Sequence, residues 1–119
     1  MNYFDCKRLK RMIDAQRLHV AELRESAAGI AAKADGMPKS GAHGSKTERM
    51  VERIAVEEER LVHLEKRLYQ AIVSIPDEYI RRMIRLKICK GYSWNKIAFI
   101  LGGNNSGDSI RMTCVRYRW

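Results

Sequence analysis

Apolar residues recur at Leu9, Ile13, Val20, Leu23, Ala27 and Ile30, with Gln16 the one polar member of a 4-3-4-3-4-3 spacing. The rhythm returns at Met50, Ile54, Leu61, Leu64, Leu68, Ala71 and Ile75, where Glu57 is the polar member. Both are heptad seams. They predict helices over about 5–32 and 46–74, each about 42 Å long at 1.5 Å per residue, of the kind that pack in shallow left-handed crossings. The intervening segment, about 33–45, holds Gly36, Gly41, Gly44 and Pro38 and reads as a loop. Ser45 with Glu48 has the spacing of a capping box and sets the second helix to begin near Lys46. A coiled-coil-like antiparallel hairpin over residues 1–75 is the simplest result. Its seam covers one side of each helix, and Met12, Val51, Val62 and Tyr69 lie outside it. A further partner is therefore expected, either the C-terminal head or a second chain in a four-helix bundle.

The pattern changes at Ile75-Pro76-Asp77, where proline stops one helix and the same tripeptide starts another. Ser74 and Asp77 have the spacing of a capping pair, and Pro76 suits the first turn. Ile80, Met83, Ile84 and Ile88 then mark a buried face, with Arg81, Arg82, Arg85 and Lys87 on the other side. Gly91 suits a left-handed C-cap. Ser93 caps a short helix whose Trp94, Ile97, Ala98 and Leu101 face inward, and Gly102 ends it. Asn105 or Ser106 caps a last helix over about 106–119, with Ile110, Cys114 and Tyr117 inside. The fold class is all-α: a long hairpin followed by a three-helix, helix-turn-helix head over 76–119. Ala98 supplies the small side chain that two steeply crossing helices need.

Charge adds direction. The 119 residues carry a formal +9, and residues 77–119 alone hold nine basic and three acidic groups. Such an excess on one short module suits a polyanionic partner such as double-stranded DNA, because each cation placed on a phosphate releases condensed counterions, and an anionic membrane surface would feel the same attraction. On the last helix Ser109, Arg111, Met112, Val115 and Arg116 point outward. Arginine can pair with guanine, serine can bond either way, and apolar atoms can meet a thymine methyl in the major groove. Lys90, Tyr92, Lys96 and Arg118 are expected on phosphates, as are backbone N–H groups at the helix starts near Ser93 and Ser106.

No membrane-length apolar run and no signal-peptide pattern is present, so a cytoplasmic protein with no membrane partner is expected. Cys6, Cys89 and Cys114 form no CxxC pair and share no zinc spacing with His19, His43 or His63, which points to reduced structural thiols and no metal. Ser40 to Thr47 approximates a phosphate-binding loop but lacks both anchoring glycines and a preceding strand. With no nucleophile, acid/base pair or cofactor motif, an enzyme is not expected.

Pro76-Asp77, Gly91-Tyr-Ser-Trp94 and Gly102-Gly-Asn-Asn-Ser-Gly-Asp-Ser-Ile-Arg-Met112 resemble the C-terminal head of small phage-encoded regulators related to sigma-factor region 4, including late-transcription activators of the RinA and ArpU type. Asp35-Gly-Met-Pro38 is similar to that family's linker. The resemblance implies a DNA-binding transcription regulator of bacteriophage or prophage origin, with Ser106 to Trp119 as recognition helix. The turn after Leu101 is longer than in sigma region 4 by about two residues, and no region 2 precedes the head. The hairpin is then an arm for homodimerisation or for contacting RNA polymerase. Two other readings use the same features: an interaction protein that binds or inhibits polymerase or another host protein through the hairpin, and a DNA-packaging recognition subunit.

Overall fold

The computed structural model describes residues 1–34 and 41–119, and these are all-helical: α1 (Tyr3–Ala34), α2 (Gly41–Val73), α3 (Glu78–Ile88), α4 (Trp94–Leu101) and α5 (Gly107–Arg116). Among the described residues the one extended pairing is an isolated antiparallel bridge, Asn2 with Arg118. No described helix is long and apolar enough to cross a membrane. The expected linker Asp35–Pro38, and most of the expected loop, lie outside the described residues. Three expected boundaries move. α2 starts at Gly41, so Ser45 sits inside it and not at its cap. Pro76 precedes the N-cap of α3 and is not in its first turn. α5 ends at Arg116.

The chain packs as two units, residues 1–12 with 65–119, and residues 13–64. The 75/76 boundary expected from the sequence therefore does not mark where packing divides. In the first unit Ile75, Ile84, Ile97 and Ile110 are almost wholly buried with Cys6 and Cys114, and α3, α4 and α5 pack on one another. The Tyr3 ring lies 5.6 Å from that of Trp94, which gives this tryptophan a packing role.

The last carbonyls of α2 show how the end of the chain is tied in. Ile75 N–H bonds to Ile72, one residue short of helical register, so the Ala71 carbonyl takes other donors. These are the Ser74 hydroxyl at 2.8 Å and the Trp119 indole N–H at 3.0 Å. Ser74 thus completes α2, while α3 is capped by Asp77 alone, whose carboxylate accepts from Tyr79 and Ile80 N–H. After α5, Tyr117 turns extended (φ −74°, ψ 138°), Arg118 meets Asn2, and Trp119 exchanges backbone hydrogen bonds with Met1.

In the second unit Ile13, Val20 and Leu23 of α1 are buried, together with Glu57 of α2 at 8% exposure. The two polar seam members partner each other: Gln16 Nε2 donates to a Glu57 carboxylate oxygen at 2.8 Å and to its backbone carbonyl at 2.9 Å. Arg60 and His19 stand 3.1 and 3.9 Å from the same carboxylate. The Gln16 hydrogen bond is the largest cause holding Glu57 below the usual glutamate range, and the nearby cations act in the same direction. Arg24 of α1 pairs with Glu58 of α2. His63 lies by Glu59, so the two histidines serve separate acids.

Candidate nucleic-acid interface

α5 forms because Ser106 caps it. The Ser106 hydroxyl accepts from Ser109 N–H at 3.1 Å, Asp108 lies in the first turn and Arg116 in the last, each at the end its charge favours. Gly107, Ile110 and Cys114 face the core. The rotation of the helix is fixed at Gly107. A Cβ there would stand 2.9 Å from the backbone nitrogen of Asn95 and overlap the Asn95 side chain. Ala98, the small residue expected where the helices cross, is buried, and the approach of Gly107 to Asn95 leaves no room for a Cβ.

With its inner side anchored, α5 turns Ser109, Arg111 and Arg116 to solvent, while Met112 and Val115 are half-buried. All five occupy one helix, as expected. Arg118 does not belong with them: it is exposed, but past the C-cap and within the bridge to Asn2. Tyr117, expected on the inner face, is half-buried in the same extended segment.

Of the expected phosphate contacts, Lys90, Tyr92 and Lys96 gather around the start of α4, while Ser106 caps α5 and Arg118 lies past its end. Gly91, at φ +69°, turns the chain out of α3. Lys90 is exposed, and the Lys96 ammonium lies 4.0 Å over the Tyr92 ring, so these two side chains form one cationic, aromatic unit. Ser93 caps α4 by accepting from Lys96 N–H. Lys87 adds a second such contact, 4.9 Å over Trp94.

Three features escaped the sequence. Phe99 is 86% exposed, the most open large apolar side chain among the described residues; its place outside the inward set of Trp94, Ile97, Ala98 and Leu101 was the available signal. Asn105 donates to the Tyr79 hydroxyl at 3.3 Å and fixes the turn before α5. Phe99, Asn105 and Ser106 line one shallow groove with Asn95 and Gly103. Asp108 is exposed beside Ser109, a carboxylate within an otherwise cationic surface.

The thiols are structural where they are buried. Burial pushes Cys6 up to about 11 and Cys114 up to about 12, and Cys114 Sγ lies 3.4 Å from Met83 Sδ. Family models, curated proteins and solved structures were each compared with this chain, and none matches it.

Proposed function

We propose that this chain is a sequence-specific double-stranded DNA-binding transcription regulator of bacteriophage or prophage origin, with residues 13–64 forming a helical hairpin and α3–α5 a helix-turn-helix head of the sigma-region-4 kind. One observation carries the reading: α5 is locked by Gly107, Ile110 and Cys114 while Ser109, Arg111 and Arg116 remain open on its other side. A short helix held so, rich in arginine and offering Met112, has the size and chemistry to enter a major groove. Lys90 and the Tyr92–Lys96 unit, beside the capped start of α4, then suit the phosphate backbone. The charge agrees. Residues 1–12 with 65–119 hold 15 basic and 5 acidic groups, against 8 and 9 in residues 13–64.

Selection from a random DNA pool at near-physiological salt tests this. The wild-type chain should enrich a motif, and Arg111→Ala/Arg116→Ala should bind that motif at least about tenfold more weakly, since each bidentate arginine contact is worth about 1–3 kcal/mol of base discrimination. No enrichment, or undiminished binding by the double variant, refutes the role of α5.

A further inference from the structure

The hairpin unit presents one side that is unlike its other sides. At about 100° per residue, Arg17, Ala21, Arg24 and Ala28 run along the flank of α1 next to its buried seam. Val51, Ala55, Glu58 and Val62 run along the corresponding flank of α2. The Arg24–Glu58 ion pair joins the two flanks, so they belong to the same side of the pair. Along α2 this side is apolar and acidic: Val51 is 60% and Val62 47% exposed, and Glu52 and Glu59 stand exposed at its outer edge. Along α1 it is mainly basic and small, with Ala21 exposed between the arginines and Ala28 exposed beyond them, while Leu18 and Glu25 stand exposed at its outer edge.

We propose that this side is covered by the same side of a second copy of the chain, α1 of each copy lying along α2 of the other in a four-helix bundle. The inference rests on the hairpin of the preceding reading. A second copy fits because the two flanks complement each other and neither complements itself. α2 on α2 would set Glu52 and Glu59 against their own kind, and α1 on α1 would do the same with arginines. A twofold axis parallel to the helices brings unlike flanks together and also preserves the axial levels found within one chain. Arg17 then faces Glu58 and Glu59 of the other copy, Arg24 faces Glu52, and Ala28 leaves room for Val51. Arg17 keeps its neighbour Asp14 on its own helix, 4.0 Å away, as it does so.

Sedimentation equilibrium of the full chain without DNA decides the matter, so its outcome is independent of whether α5 reads bases. The wild type should weigh twice its 13.8 kDa. Val51→Lys/Val62→Lys, which alters two exposed side chains and should leave the helical circular dichroism intact, should dimerise about 100-fold more weakly, since burial of four valines per dimer is forfeited. Arg17→Glu/Arg24→Glu and Glu52→Lys/Glu59→Lys should each be weakened alone and should pair with one another when mixed. A wild-type mass of one chain at about 100 µM, a ring-sized mass, an unaffected valine variant, or failure of the charge variants to pair on mixing overturns the proposal.

Discussion

Glu57 occupies a seam position that a hydrophobic residue would ordinarily fill, and it is tolerated there because Gln16 comes from the facing helix to meet it. Gln16→Leu should therefore lower the urea midpoint by leaving the carboxylate without its main donor, whereas Gln16→Leu/Glu57→Leu should regain or exceed wild-type stability. The pH dependence follows from the sign of the shift. A carboxyl held below its unfolded value contributes stability that is present above about pH 4.3 and is lost as pH falls through the folded-state value. The urea midpoint should drop on acidification below that range, and the drop should be shallower in Gln16→Leu. Gly107 is constrained by space, not by backbone angle: Gly107→Ala should cost about 1–3 kcal/mol in denaturant unfolding, because the neighbour that must give way includes the Asn95 backbone. Of the three thiols, Cys89 is exposed and the other two are buried with raised pKa values. A thiol reagent applied to the native chain should modify one cysteine rapidly, and all three once urea is present.

At the scale of elements, the features written in local sequence were legible. The heptad seams placed α1 and α2, Ser93 and Ser106 capped the helices that follow them, and Gly91 turned left-handed as its position suggested. What depended on distant partners was not. α5 stops at Arg116 although Tyr117 continues its apolar spacing, because the segment after it is drawn into contact with Met1, Asn2 and the Ala71 carbonyl near the end of α2. No local rule predicts that Trp119 completes a helix whose last turn lies far away in sequence. Trp119→Phe keeps an aromatic ring and removes the N–H, and should lower stability by about 1 kcal/mol. Likewise the close approach of Gly107 to Asn95 depends on the actual rotation of α5. The outward residues of α5 were legible from the helix period alone, and the period of α4 likewise leaves Phe99 outside its inward set; the groove that Phe99 lines with Asn105 and Ser106 depends on how α4 and α5 sit together, which the period of either helix does not contain.

Over the whole molecule, residues 1–12 with 65–119 carry all of the positive excess, while residues 13–64 are slightly acidic. Under the proposed function, nonspecific attraction to DNA would belong to the first unit, leaving residues 13–64 for contacts between proteins. Two kinds of cation in the first unit should behave differently in binding assays. Lys90→Ala/Lys96→Ala should weaken every DNA sequence alike and reduce the slope of log affinity against log salt by about 1.8, roughly 0.9 for each phosphate no longer neutralised. Arg111→Ala/Arg116→Ala should instead change which sequences are preferred. The split between the anchored and open sides of α5 gives this difference a longer consequence. Ile110, Cys114 and Gly107 hold the helix, and Ser109, Arg111 and Arg116 are not needed to hold it. Substitutions on the open side are nearly free of the fold's demands, so if α5 reads DNA as proposed, descendants of such a chain can acquire new operators one residue at a time while the scaffold stays the same.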